Sequence, residues 1–377
     1  MINQLNLHVP PQINENLEKK NITEPTPIQQ AVIPKALNGE SVMFRSQTGS
    51  GKTLAYVLPL LAAIEADQQT IQAVIVAPSQ ELAVQIESVI KEVTDQTTLS
   101  SMAFIGGANV NRQVEKLKKS KPHIAVGTPG RLMELIRLKK IKLANIRMFV
   151  LDEVDRLVEE QESWKDVEEL GKRLGYNVQG LFASATIPKG LEDKLKVFSP
   201  NVEKLEENTS TLPEQIEHLA VMIEERDRID TVRKIVHAEE IKKGIVFVNH
   251  LDRLNETVEK LRYRKVEAVA LSSEQTKTDR EQAIARFKSG AASILVATDV
   301  AARGIDIEKV SHIIQLDASR SFESYLHRAG RTGRVKEDGK VISLLNGQER
   351  YLKEKYEKYL NIHVNEVFLK NGTLISE

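Results

Sequence analysis

"RSQTGSGKTLAYVLPL", Arg45 to Leu60, reads as the end of an apolar strand, a glycine-rich turn, a Lys-Thr pair and an apolar-periodic helix. Gly49 and Gly51 free the backbone to turn amide N–H groups inward at a helix start, where the helix dipole also favours an anion. In that arrangement Ser46, Gln47, Thr48, Gly49, Ser50 and Gly51 wrap the phosphates of a nucleotide. Lys52 then reaches the β- and γ-phosphates and Thr53 ligates Mg2+. The pattern G-x-x-x-x-G-K-[ST] is imperfect in one place, since Ser46 stands at its first glycine. A strand before and a helix after make the stretch a nucleoside triphosphate site rather than a chance glycine-rich turn.

Outward from that turn, short β-branched runs alternate with helical patterns. "SVMFRS", "AVIVAPS", "HIAVGTP", "IRMFVLDE" and "GLFASAT" are separated by segments such as "QELAVQIESVIKEV". Strand-helix alternation predicts an α/β fold with a parallel sheet covered by helices on both faces. The alternation restarts after the polar stretch "EENTSTLPEQIE", with "GIVFVN", "VEAVAL", "SILVAT" and "VSHIIQLD". One core rarely grows beyond roughly 250 to 300 residues. The expected organisation is therefore a domain over 1–207, a linker over 208–213 and a second α/β domain over 214–377, rather than one large sheet with a surface loop. The charged segment "QERYLKEKYEKYL" reads as a closing helix.

Composition narrows the function classes. Lys plus Arg and Asp plus Glu both number 53, so overall charge announces no nucleic-acid binder and any basic groove must be local. There is no cysteine, which excludes a disulfide framework, a thiolate metal site and a cysteine nucleophile and fits a reducing, cytoplasmic setting. The first residues lack the basic start and apolar run of a signal peptide, and no window approaches the roughly 20 apolar residues of a membrane span.

A phosphate loop needs a carboxylate at the end of a buried strand. "IRMFVLDEVD" supplies Asp152 and Glu153. Asp152 is placed to hold Mg2+, and Glu153 to orient and deprotonate the attacking water. Asp155, two residues on, is either a further member of this set or a helix-capping carboxylate.

These motifs and those that follow resemble the DEAD-box RNA helicase family over nearly the whole chain. "PTPIQ" (Pro25 to Gln29), "SQTGSGKT", the pair Gly106 and Gly107, "TPGR" (Thr128 to Arg131), "DEVD", "SAT" (Ser184 to Thr186), "TDVAARGID" (Thr298 to Asp306) and "HRAGRTGR" (His327 to Arg334) stand in family order. Val154 replaces the family's alanine in the eponymous tetrapeptide, a packing change that spares the carboxylates. The resemblance implies two tandem RecA-like domains, each a mostly parallel sheet, with ATP and RNA bound across a cleft.

The resemblance also assigns roles. Gln29 matches the adenine donor and acceptor pair and selects ATP; alone it would read as a surface helix residue. Asp306 accepts from the ribose. Arg331 and Arg334 resemble arginine fingers on the γ-phosphate, a contact worth on the order of 10³ to 10⁵ in rate in other nucleotide hydrolases. RNA is held through its backbone by Gly107, Thr128, Arg131, Thr298, Arg303 and Gly304, with little sequence readout. Ser184, Thr186, His327 and Arg328 are expected to couple the two halves, although Ser-x-Thr after a strand is also ordinary loop chemistry.

Three departures thin the grip on both ligands. The family's adenine-stacking aromatic would fall near Gln4 and Leu5, yet no aromatic precedes Phe44; a base stack is worth roughly 1 to 3 kcal/mol in single-strand binders. Gln80 stands where the family has an RNA-contacting arginine. In "LSSEQTKTDR", Ser272, Ser273 and Lys277 differ from the family while Arg280 matches. The expectation is an ATP-dependent RNA helicase of low turnover that works on a particular ribonucleoprotein, with ribosome assembly favoured over mRNA decay or cold-tolerant RNA unfolding. The terminal segments suggest no added RNA-binding domain, and a monomer is expected. An ATP-gated RNA clamp without unwinding is the rival, and a DNA helicase on the same scaffold is the third reading.

Overall fold

The computed structural model describes the chain except residues 46–49, 189, 207–211, 214, 273, 303–308, 334–337, 371 and 377. It divides into two units, residues 1–208 and 209–377, each built on its own sheet.

In the first unit the strands are β1 (Val42–Arg45), β2 (Ala73–Val76), β3 (Ser101–Phe104), β4 (Ile124–Gly127), β5 (Met148–Leu151), β6 (Gln179–Ser184) and β7 (Glu203–Glu206). They lie in the order β3-β4-β2-β5-β6-β1-β7, every pair parallel. Parallel neighbours require a crossover, and helices supply it. These are α1 (Pro11–Lys19), α2 (Pro27–Leu37), α3 (Lys52–Ala63), α4 (Gln80–Val93), α5 (Val110–Ser120), α6 (Pro129–Arg137), α7 (Val154–Glu159), α8 (Gln161–Leu174) and α9 (Leu191–Leu195). Residues alternate between two cores along each strand. Ile75 and Val150 face a core with α1 to α4, while Val74, Val76 and Phe149 face one with α6 to α9. That double burial is why the inner strands are apolar throughout.

The second unit contains β8 (Ile216–Met222), β9 (Gly244–Phe247), β10 (Ala268–Leu271), β11 (Ile294–Ala297), β12 (His312–Gln315), β13 (Gly339–Leu345), β14 (Val364–Lys370) and β15 (Thr373–Ser376). Their order is β10-β11-β9-β12-β13-β8-β14-β15, and only β15 is antiparallel to its neighbour. Helices α10 (Arg228–Ala238), α11 (Leu251–Tyr263), α12 (Lys277–Lys288), α13 (Asp299–Ala302), α14 (Phe322–Ala329) and α15 (Tyr351–Leu360) surround it. α15 does not close the chain as expected. It leads into β14, which pairs with β8 and turns back as β15. Among the described residues no helix is long and apolar enough to cross a membrane.

One buried polar contact inside the second core is pH-sensitive. His218 on β8 is 5 % exposed and its Nδ1 lies 2.9 Å from the Tyr325 hydroxyl, while Tyr325 packs against Tyr356 at 4.2 Å between ring centroids. Burial pushes the imidazole down to about 4. The unfolded chain therefore takes the proton first as pH falls, so this stability is present above the ordinary value near 6.5 and is lost towards pH 4. Urea unfolding is expected to show about 2–3 kcal/mol of pH-dependent loss between pH 7 and 4.5 from this group. The His218→Gln protein should lack that component, whatever its stability at pH 7.

Candidate functional site

Each strand of a parallel sheet ends at the same edge, and the candidate residues of the first unit gather there. β1 leads into the phosphate loop, whose described part begins at Ser50. Gly51 precedes α3 with φ of +89°, a left-handed conformation that disfavours other residues. A Cβ at Gly51 would also stand 2.4 Å from the Gln29 amide nitrogen. Lys52 and Thr53 open the helix. Ser46, Gln47, Thr48 and Gly49 lie outside the described residues.

Gln29 is 1 % exposed and is not the surface helix residue it could have been. Its Oε1 accepts from the Thr26 amide at 3.0 Å and its Nε2 donates to the Gly51 carbonyl at 3.0 Å. The side chain thus joins the start of α2 to the phosphate loop, and one donor and one acceptor site of the amide remain. Near Gln4, where an aromatic was sought, Leu5 is buried in the first core.

The three acids of "DEVD" are held by three different partners. Asp152, 5 % exposed, accepts from the Tyr56 hydroxyl at 2.8 Å and from the Glu153 amide at 2.9 Å. Burial pushes its carboxyl up to about 6, while the positive charge of Lys52 pulls it back. Such a buried carboxylate is short of positive charge and is a donor suited to a hard oxygen-seeking cation, so Asp152 with the Thr53 hydroxyl fits Mg2+ carried on nucleotide phosphates. Glu153 takes φ of +50° at the turn from β5 into α7, and its Oε2 accepts from Arg156 Nη1 at 2.6 Å. Arg156 is 1 % exposed, and its Nε and Nη2 have no hydrogen-bond partner among the described residues. Asp155 reaches both its own first turn and a neighbouring strand end, its Oδ1 accepting from the Arg156 amide at 3.2 Å. Its Oδ2 accepts from the Thr186 amide at 3.0 Å and hydroxyl at 2.8 Å, and its amide donates to the Ser184 hydroxyl at 3.2 Å.

Ser184 and Thr186 were expected to couple the two halves. Both hydroxyls act inside the first unit, with Ser184 Oγ also donating to the Thr186 carbonyl at 2.5 Å. Arg328 is likewise bonded within its own unit. It is 1 % exposed, and its guanidinium donates to both carboxylate oxygens of Asp299, to Gln315 Oε1, to the Asp317 carbonyl and to Asn249 Oδ1, at 2.6–3.1 Å. Five donors meet five acceptors within the second unit. His327 precedes it on the last turn of α14. Arg331 follows the helix and is 8 % exposed. Arg334 lies outside the described residues.

The candidate RNA contacts of the first unit converge at the ends of β2, β3 and β4. Gly107 has φ of +69°, and the Gln80 amide sits over the Gly106–Gly107 pair, 3.3 Å from a Cβ placed on Gly106. Arg131 donates through Nη1 to the Ala108 carbonyl at 3.0 Å and pairs with Glu134. Thr128 caps α6 without a side-chain hydrogen bond to it. In the second unit Thr298 Oγ1 accepts from the Ala301 amide at 3.4 Å, and Arg280 donates to the Ser272 carbonyl. Arg303, Gly304, Asp306 and Ser273 are outside the described residues.

Comparison with known proteins decides the family. Residues 26–194 match the DEAD/DEAH box helicase family and residues 227–336 match the helicase conserved C-terminal domain. The chain belongs to the DEAD-box RNA helicase family. It is 38 % identical to the DEAD-box ATP-dependent RNA helicase CshC of Bacillus cereus, covering 97 % of this chain and 93 % of that one. It is 40 % identical to the probable ATP-dependent RNA helicase YfmL of Bacillus subtilis, covering 96 % of each. Among solved structures it is similar to S. cerevisiae Dbp5 bound to RNA and ADP BeF3, with a TM-score of 0.88 and 28 % identity over 97 % of this chain and 95 % of that one. These relatives make the two sheets tandem RecA-like domains.

Tyr56 and Arg156 were not singled out in the sequence as helicase residues. The i,i+3 spacing of Glu153 and Arg156 is a readable sign of an ion pair. Nothing local marks Tyr56 as the partner of a residue 96 positions away.

Two variants test these supports. Tyr56→Phe keeps the ring and removes the hydroxyl, so Mg2+ should bind the protein–ADP complex about tenfold more weakly, read by the Mg2+ dependence of fluorescent ADP affinity. Thr186→Val keeps the shape and removes one bond to the buried Asp155 carboxylate. It should lower unfolding stability by about 1–3 kcal/mol in urea titration.

Proposed function

We propose that the chain is an RNA-stimulated ATPase that locally opens short RNA duplexes or remodels RNA–protein complexes. The carrying observation is the separate support of three adjacent acids: Asp152 by Tyr56, Glu153 by Arg156 and Asp155 by Thr186. Each carboxylate is thereby fixed for a different task.

In this reading Lys52 and the amides after Gly49 bind the ATP phosphates, and Gln29 engages adenine with its remaining donor and acceptor. Asp152 and Thr53 hold Mg2+, which when bound neutralises charge on the phosphate oxygens. Glu153 orients the attacking water and accepts its proton. Arg331 and Arg334 stabilise charge developing on the γ-phosphate, and Asp306 accepts from the ribose. Gly107, Thr128, Arg131, Thr298, Arg303 and Gly304 hold the RNA backbone, so sequence selectivity is low. Asp155 ties the acid segment to Ser184–Thr186 and gives the ATP side a rigid link to the end of β6. ATP and RNA then bind with positive coupling. The setting proposed is a cytoplasmic ribonucleoprotein, with ribosome assembly favoured and the chain acting as a monomer.

The neutral Gln80 beside Gly106 and the aliphatic, buried Leu5 favour weak ligand binding and low turnover. They also favour the second reading, an ATP-gated RNA clamp that releases no strand. Steady-state ATP hydrolysis with and without total RNA is expected to rise with RNA, with ATP affinity weaker than micromolar, and to vanish in Glu153→Gln. Release of a strand from a short duplex supports the helicase; RNA-stimulated hydrolysis without release supports the clamp. An absence of RNA stimulation in the parent protein overturns both.

A further inference from the structure

Equal numbers of acidic and basic residues conceal a local excess. From Val110 to Arg147 the chain carries eleven Lys and Arg against two Glu. α5 and α6 pack on the same face of the first sheet, with Leu117, Leu132, Met133 and Ile136 turned into one core. Their beginnings adjoin, since Arg131 near the start of α6 bonds Ala108 just before α5. The end of α5 and the segment that follows α6 converge on one turn: Lys121, capping α5, donates to Gln69 at 3.2 Å, and Asn145, beyond α6, donates to Thr70 at 3.3 Å.

Lysines crowd that far end. Lys116, Lys118, Lys119 and Lys121 come from α5 and its cap, and Lys139, Lys140 and Lys142 from the segment after α6. All seven are exposed. None forms an ion pair, in contrast to neighbouring Arg137, which is shared between Asp166 and Glu169. Lysines in a last turn complement the helix dipole, which accounts for Lys118 and Lys119. It does not account for Lys139, Lys140 and Lys142, which lie beyond α6. Such an uncompensated cluster is self-repelling and is relieved by a polyanion.

We propose that this lysine cluster is a second RNA-backbone site, which holds the RNA flanking the strand bound at the Gly107–Arg131 edge. It rests on the RNA-dependent reading above. The observation favouring RNA is continuity. α5 and α6 begin at the candidate RNA contacts and end at the lysines, about 13–16 Å further along the same face. A membrane surface would need a broad apolar stripe beside the lysines, but the apolar faces of both helices are buried and Leu138 alone is exposed there at 50 %. Phosphate contacts of this kind are insensitive to base sequence.

The test compares the parent with Lys118→Gln/Lys119→Gln/Lys139→Gln/Lys140→Gln. Two probes share one sequence, a 10-nucleotide single strand and the same strand extended by a 20-base-pair hairpin. Anisotropy titrations between 50 and 200 mM salt should show the variant binding the extended RNA at least about tenfold more weakly at 100 mM. Its log affinity against log salt should be less steep by about 3. Binding of the 10-mer, and hydrolysis at saturating 10-mer, should be unchanged. The matching fourfold Lys→Arg protein should restore the slope. An unchanged slope on the extended RNA overturns the proposal, as do equal losses on both probes. So does an unchanged slope accompanied by lost binding to phosphatidylserine vesicles, which would assign the lysines to a membrane. If neither RNA stimulates hydrolysis by the parent, the RNA-dependent reading itself fails, a result distinct from all of these.

Discussion

Parallel pairing is the constraint on which the rest of this molecule depends. A strand in such a sheet cannot turn directly into its neighbour; it must leave at one edge and return through a helix to start at the other. Every β-to-α junction of a unit therefore falls on one edge, where amides at helix starts and the first polar side chains after each strand collect. Gly51 and Lys52 after β1, Gln80 after β2, Gly107 after β3, Thr128 after β4, Asp152 and Glu153 after β5 and Ser184 after β6 are neighbours for that reason. They lie far apart in sequence. The same rule places Asn249, Thr298 and Asp317 beside one another in the second unit.

At the edges of both sheets, buried charge occurs in a satisfied form and in one left short of partners. An isolated ion in a protein interior is costly, and removing one partner of a buried pair exposes that cost. Asp155 and Arg328 show the satisfied form, the first through Thr186 and the second through five acceptors on four residues. Asp152 and Arg156 show the unsatisfied form. Asp152 is pushed up to about 6 by burial, and Arg156 keeps two nitrogens, Nε and Nη2, without partners among the described residues. Both follow β5, one within the acid segment and one beside it.

Much of this was legible in the residues. Runs such as "AVIV" and "MFVL" are apolar on both faces because both faces are covered, and the glycines, Lys52 and the acid pair declare a phosphate site through chemistry that few other patterns allow. The edge strands were harder to read. β7 is "EKLE" and β14 is "VNEVFLK". Half-exposed strands carry charge and lose the apolar signature, which is why α15 looked like the end of the fold. Roles that depend on rotamers were illegible as well. Ser184, Thr186 and Arg328 stand out in the sequence as polar residues, yet only packing shows which bonds they make within their own units.

The sequence by itself determined that the chain makes two α/β units around a phosphate loop and an acid pair, because strand and helix periodicity and glycine-rich turn chemistry are local properties of a few consecutive residues. Only the tertiary structure decided which side chain holds which carboxylate: Tyr56 on Asp152, Arg156 on Glu153, Thr186 on Asp155. It also decided that two lysine-bearing segments meet around Gln69 and Thr70, through Lys121 and Asn145. A hydrogen bond or a patch of charge depends on distances across the fold, and those follow from strand order and helix packing, which no short stretch of sequence encodes.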